Sequence, residues 1–170
     1  EWINTPEFAW STRFAKVFDW DHPPSVTSNV LQQLGLTSGK RIGVEKQCFF
    51  YTVDEHETLT HDLPENNFVD ATQILWDARM IKSVEEIEVM RKSAHLVDLA
   101  MQAGWDATSS GTTADEINGV VNKTLLENGG EYMGLPPFIL AGERSCLPHQ
   151  TGGKDQLRND DVMYFEISAS

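Results

Sequence analysis

Residues 82–92 read Lys-Ser-Val-Glu-Glu-Ile-Glu-Val-Met-Arg-Lys, and the element that they begin decides the fold of this chain. Ser83 and Glu86 have the spacing of a capping box, in which hydroxyl and carboxylate satisfy free backbone N–H groups at the start of a helix. Apolar residues then recur at spacings of three and four: Ile87, Met90, Ala94, Val97, Met101 and Gly104. This period predicts an amphipathic helix of about five turns.

A second helix is predicted directly after the first. Residues 109–111, Ser-Ser-Gly, end the first helix, and Thr113 and Glu116 then form another capping box. The residues predicted to be buried on the second helix are Ile117, Val120, Val121, Thr124 and Leu125. Because the connection is so short, we expect the two helices to pack antiparallel.

Two strands are predicted beyond Gly130, at residues 138–141 and 162–167. The second strand alternates, so that Met163, Phe165 and Ile167 face the helices while Tyr164, Glu166 and Ser168 face the other way. His149 follows the first strand. If the strands pair, His149 and Glu166 can lie close together beside a polar cavity.

A histidine beside a carboxylate can transfer protons near neutral pH, so His149 and Glu166 are the candidate catalytic residues. The alternative is a loop histidine near a solvated strand. The familiar glycine-rich phosphate loops, the dinucleotide fingerprint, the His-Glu-x-x-His motif and the serine-hydrolase elbow are absent from the sequence.

Residues 1–76 have a different pattern. A helix is predicted at 25–36 with Ser25 as its N-cap, a strand at 41–45, a helix at about 50–62 and a short strand at 67–70. This alternation predicts a small α/β layer domain. Aromatic residues are concentrated before it, and they are expected to pack on a neighbouring domain or to line a groove: Trp2, Phe8, Trp10, Phe14, Phe18 and Trp20.

Composition excludes several classes of partner. The 170 residues carry a net charge of −13, which disfavours nucleic acid. No apolar run approaches the roughly 20 residues that span a bilayer, so no membrane partner is expected. The two cysteines, Cys48 and Cys146, cannot supply a disulfide framework, which favours a cytoplasmic location.

Four segments, in this order, resemble the opening of the "pita-bread" catalytic domain of the creatinase, prolidase and aminopeptidase P family. They are residues 82–92, Gly111–Ile117 (Gly-Thr-Thr-Ala-Asp-Glu-Ile), Ala141–Arg144 with His149, and Asp160–Glu166 (Asp-Asp-Val-Met-Tyr-Phe-Glu). The resemblance implies an α/β (α+β) fold, in which the C-terminal part of a creatinase-type N-terminal domain (1–76) precedes an incomplete pita-bread domain (77–170).

The resemblance also implies roles for two residues. His149 matches the family histidine that donates and accepts protons near the scissile C–N bond. Glu166 stands where metal-dependent members place their first metal-binding aspartate, and its longer side chain cannot simply occupy the same geometry. Residues 164–168 look more like the metal-free, ectoine hydrolase-type branch. The remaining metal ligands of the family would lie downstream of residue 170.

The expected function is therefore hydrolysis of a C–N bond in a small ectoine-like or creatine-like molecule. The alternatives are a metal-dependent Xaa-Pro peptidase and a non-catalytic pita-bread binding module. No metal or other cofactor is assigned to this chain, and a divalent metal (Mn, Zn or Co) is expected only if the full-length protein supplies the missing ligands. The 170 residues are expected to be inactive alone, and the family resemblance implies a homodimer.

Overall fold

The computed structural model describes residues 15–147 and 149–170. The helices are α1 (Pro23–Gln33), α2 (Val53–Asp62), α3 (Thr72–Met80), α4 (Val84–Ala107) and α5 (Ala114–Glu127). The strands are β1 (Arg41–Val44), β2 (Asn67–Asp70), β3 (Phe138–Ala141) and β4 (Met163–Glu166), and a 3-10 helix at Gly142–Cys146 follows β3. Backbone contacts divide the chain into two units between Ile81 and Lys82. The domain assignment with its boundary at 76/77, which falls within α3, stays a prediction.

The first unit is a small α/β layer. β1 and β2 pair in parallel, and the α2 helix connects them, as a parallel pair requires. Three buried side chains, Leu59, Leu63 and Phe68, form its core. Phe18 and Trp20 are exposed and stack on each other at 4.9 Å. The other four aromatic residues singled out from the sequence lie outside the described residues.

The start of α1 differs from the prediction. Ser25 lies inside the helix, and His22 is the N-cap without a side-chain hydrogen bond to the helix backbone. Pro23 occupies the first helical position, where a proline's fixed φ suits the helix and its missing N–H leaves no partner unsatisfied. The two prolines therefore begin this helix, two residues before the start predicted from the sequence.

The second unit is built on α4 and α5, which pack against each other. Both predicted capping boxes are present, with Ser83 and Glu86 on α4 and with Thr113 and Glu116 on α5. The buried residues of this core are Ala100, Ala114, Ile117, Val121, Leu125, Ile139 and Leu157. Val120, predicted to be buried, is 36% exposed.

The apolar stripe of α4 is buried only in its second half. Ala100 and Gly104 are buried, but Ile87 is 38% and Met90 53% exposed. α5 has 14 residues against 24 in α4, so α5 is too short to cover the whole of α4. The predicted amphipathic helix is present, and among the described residues its apolar stripe is buried only in the second half.

β3 and β4 pair antiparallel and form a two-stranded sheet. In the register of this pair Phe138 lies opposite Glu166, and Leu140 opposite Tyr164. Leu140 is completely buried, as is Ile139. The mixed α/β class predicted from the sequence is thus confirmed.

Candidate functional site

The candidate site lies on the face of β4 that points away from the helices. Met163, Phe165 and Ile167 pack against the α4–α5 core. Because side chains alternate along a strand, Tyr164 and Glu166 project from the opposite face, and both are half-buried. The alternation predicted from the sequence is present, and the helix core fixes which face carries the carboxylate.

Glu166 accepts a short hydrogen bond from its neighbour on this face. The Tyr164 hydroxyl donates to Glu166 Oε2 at 2.6 Å. This hydrogen bond, together with smaller contributions from desolvation and from the negative charge of Glu166, raises the pKa of the Tyr164 phenol. The phenol therefore remains a donor at neutral pH and holds the carboxylate in a fixed orientation.

His149 is exposed and lies against β3. Its ring is 5.5 Å from the ring of Phe138, tilted by 44°. Phe138 is directly opposite Glu166, and facing residues of an antiparallel pair project from the same face of the sheet. The structure thus brings His149 against Phe138, whose side chain projects from the same sheet face as Glu166. No hydrogen bond joins His149 and Glu166 among the described residues.

The backbone of His149 has φ = 61°, in the left-handed region. Residues other than glycine rarely adopt this conformation, although histidine does so more often than most. Neither this conformation nor the contact with Phe138 could be predicted from the sequence, in which Phe138 belongs only to the predicted strand at 138–141.

Arg144, in the 3-10 helix, contacts the loop that follows His149. Its Nη2 donates to the carbonyl oxygens of Thr151 at 2.8 Å and of Gly152 at 3.2 Å. Its Nε is buried and has no partner among the described residues. Sequence reasoning missed these contacts because backbone carbonyls, which every residue has, accept both bonds.

A polar cavity of about 260 Å³ adjoins Arg144. Its charged lining residues are Glu143, Arg144, Asp155, Arg158 and Asp161. Asp161 is engaged, since its carboxylate accepts from the Arg158 N–H at 2.8 Å. The cavity is therefore lined by both positive and negative side chains, and one of its carboxylates, that of Asp161, already accepts a hydrogen bond.

The described residues do not form a metal centre. No group of three or more histidine, cysteine, aspartate or glutamate side chains among residues 15–147 and 149–170 is placed to hold an ion. Glu166, which the family resemblance matches to a metal-binding aspartate, accepts a hydrogen bond from the Tyr164 phenol. A two-metal site needs several oxygen or nitrogen donors, so the residues present do not fit one by themselves.

None of the helices in the described part of the chain is long and apolar enough to cross a membrane.

Two family models match the sequence. The creatinase/prolidase N-terminal domain matches residues 8–81, and metallopeptidase family M24 matches residues 88–170. An uncharacterized peptidase of Staphylococcus aureus is 28% identical over 116 residues, which are 68% of this chain and 33% of that protein. YkvY of Bacillus subtilis, provisionally named a dipeptidase, is 25% identical over 158 residues, which are 93% of this chain and 43% of that protein.

Solved structures are similar over most of the chain. The X-Pro aminopeptidase of Thermotoga maritima superimposes with a TM-score of 0.79 at 19% identity, covering 94% of this chain and 43% of that chain. The prolidase of Pyrococcus furiosus gives 0.74 at 22% identity, covering 84% and 43%. These likenesses confirm the predicted fold class. The 170 residues span less than half the length of the curated and solved proteins that they match.

Proposed function

Because this chain belongs to the creatinase, prolidase and aminopeptidase P family (M24), we propose that the protein containing it hydrolyses a C–N bond in an Xaa-Pro dipeptide or short peptide. The names of the relatives, which are peptidases and dipeptidases, support a peptide substrate over the ectoine-like or creatine-like molecule expected first. The solved structures with similar folds are an X-Pro aminopeptidase and a prolidase. A cytoplasmic location and a homodimer remain part of this proposal.

The observation that carries the proposal is the shared sheet face of His149 and Glu166. The His149 ring lies on Phe138, the residue opposite Glu166 in the sheet. His149 is exposed and Glu166 half-buried, so a substrate can reach the imidazole. Neither group is enclosed in an apolar core, where it could not exchange protons.

In the proposed reaction, water attacks the carbonyl carbon, and His149 transfers the protons. A C–O bond forms and the C–N bond breaks. The neutral imidazole of His149 accepts a proton from the attacking water as the C–O bond forms, and the resulting imidazolium then donates a proton to the departing nitrogen as the C–N bond breaks. Glu166, held by Tyr164, orients the water or the histidine.

A metal requirement is tested separately from the role of the histidine. A metal of this family would polarise the carbonyl and activate the water. Of the described residues, Glu166 is the one that would contribute to such a site. If a chelator stops hydrolysis and added divalent metal restores it, the peptidase assignment is supported. Activity that tolerates the chelator, on creatine or ectoine, favours the small-molecule alternative, to which Glu166 in place of aspartate points.

The test of the proposed role is His149→Ala in the full-length protein, assayed on Xaa-Pro dipeptides, creatine and ectoine. We expect kcat to fall by roughly 10²–10⁴-fold. His95→Ala is the matched control, because His95 is also exposed but lies on α4. The kcat of this variant should equal that of the wild type. An unchanged kcat in His149→Ala would eliminate the role of the histidine. No hydrolysis of any of these substrates by the wild-type protein would favour the binding module.

A further inference from the structure

His149 adopts an unfavourable backbone conformation in an exposed position. Its φ of 61° lies in the left-handed region, and residues 149–153 contain no helix or strand. Such a conformation persists only when the surrounding structure holds it. The contact between the His149 and Phe138 rings involves side chains only, so it does not by itself fix the backbone of His149.

The strongest hold on this loop comes from Arg144. The two bonds from Nη2 to the carbonyls of Thr151 and Gly152 fix the loop two and three residues after His149. A charged donor strengthens each bond, and the planar guanidinium fixes their direction.

Arg144 is itself anchored to the sheet. Its 3-10 helix follows β3 directly, and the Gly142 N–H at the start of that helix donates to Val162 beside β4 at 2.9 Å. Gly142 has φ = 56°, and its α-carbon lies so close to Asp161 that an added Cβ would be 2.9 Å from the carboxylate. The 3-10 helix that contains Arg144 is therefore connected to both strands, to β3 through the chain and to the start of β4 through the Gly142 hydrogen bond.

The far end of the loop is fixed independently. The Asp115 N–H at the start of α5 donates to the Gly153 carbonyl at 3.2 Å. Leu157 is buried in the core, and its N–H donates to Thr112 at 2.8 Å. The segment around His149 thus depends on Arg144 for the part that these later contacts do not restrain.

We propose that Arg144 is a positioning residue, which holds the 149–152 backbone so that the His149 imidazole stays against Phe138 on the sheet face of Glu166. This inference rests on the proposed function, because that function gives the imidazole its role. Arg144 reaches the loop carbonyls and not the reacting atoms. Arg144 therefore contributes to the reaction by fixing the position of His149, the proton donor.

The first test uses nuclear magnetic resonance on the chain itself and needs no activity. In the wild type, a nuclear Overhauser effect is expected between the rings of His149 and Phe138. Arg144→Ala should abolish it while the far-ultraviolet circular dichroism remains unchanged. Full retention of the effect in Arg144→Ala would overturn the proposal.

Arg144→Lys separates the two hydrogen bonds from the positive charge. A lysine ammonium ends one bond short of the position of Nη2, so the charge and the aliphatic stem are kept while both bonds are lengthened. The Overhauser effect should weaken. If Arg144→Ala does not fold, this variant decides, and an effect at full strength then contradicts the proposal.

Arg158→Ala is the matched control. Arg158 lines the same cavity, and its backbone N–H donates to the Asp161 carboxylate, a hydrogen bond that the variant keeps. The contact between His149 and Phe138 should persist at full strength. Its loss in this variant as well would mean that any cavity arginine has the same effect, and the assignment to Arg144 would fail.

In the full-length protein, Arg144→Lys should lower kcat at least tenfold and leave KM within about twofold, because the substrate still binds while the proton donor is displaced. An unchanged kcat despite loss of the ring contact would overturn the positioning role. If His149→Ala itself has no effect on kcat, the proposed function fails, and the Overhauser result still decides whether Arg144 holds the loop.

Discussion

Two glycines in the interiors of neighbouring helices provide a sharp test of the packing described above. Gly104 on α4 is buried, and a Cβ added there would be 2.8 Å from Val121 Cγ2 and 3.0 Å from Phe165 Cε1. Gly119 on α5 is exposed, and an added Cβ would meet nothing within 4 Å. The same substitution, glycine to alanine, should therefore have opposite effects on stability at the two positions.

The magnitudes follow from two opposing terms. Alanine in place of glycine stabilises a helix interior by roughly 0.5–1 kcal/mol. At Gly119 this gain stands alone, so Gly119→Ala should stabilise by about that amount. At Gly104, inserting a methyl group into a packed core costs about 1–3 kcal/mol. The net effect of Gly104→Ala is a destabilisation of about 1–2 kcal/mol.

The assay is urea unfolding of the two variants and the wild type, followed through Trp105. This residue is the one tryptophan within residues 82–170, so its indole resonance reports on the second unit. The two variants should differ by about 2 kcal/mol in free energy of unfolding, with similar m-values. A Gly104→Ala protein as stable as the wild type would refute the close approach of α4 to Val121 and β4.

Three further predictions concern hydrogen bonds made by side chains. Ser83→Ala removes the N-cap of α4, and it should destabilise the second unit by about 1 kcal/mol in urea unfolding. The bond to Glu166 raises the pKa of Tyr164, so its stabilising effect is present at neutral pH and is lost as the pH rises through that raised pKa. Burial also raises the pKa of Tyr51, so an ultraviolet difference titration should show two phenols ionising above the ordinary tyrosine range, and Tyr164→Phe should remove the contribution of one phenol from that transition. Hydrogen bonds from the hydroxyl and then the N–H of Thr72 lower the pKa of Asp70, so this stabilisation is present above the ordinary carboxyl pKa and is lost as the pH falls through the lowered value. Thr72→Val should move the Asp70 carboxyl titration, followed by nuclear magnetic resonance, to higher pH.

The sequence was most informative where structure depends on neighbours along the chain. Capping boxes involve residues three apart, and strand alternation has a period of two, so Ser83, Thr113 and the face of Glu166 could be predicted. The predicted start of α1 at residue 25 was wrong because a proline such as Pro23 can either break a helix or occupy its first position.

The features that the sequence could not predict depend on contacts between distant segments. How much of the α4 stripe is buried depends on the length of the partner helix, which no periodicity in α4 contains. The positions of His149 and Glu166 depend on strand register and on a loop held by backbone carbonyls, so their exact separation could not be read from their types. The prediction that they share a site therefore stays a prediction, although both lie on one face of the sheet.

Core packing and the candidate site are linked through β4. Phe165, which would meet a Cβ on Gly104 at 3.0 Å, lies between Tyr164 and Glu166 in the strand. A strand cannot move one side chain away from the helices without moving the backbone of its neighbours, which project from the other face. Packing at Gly104 therefore affects the position of Glu166 relative to Phe138 and the His149 ring. For the same reason, a substitution that leaves every candidate catalytic residue intact can still displace the carboxylate, and the bare α-carbon of Gly104 is part of what places Glu166 at the surface of the site.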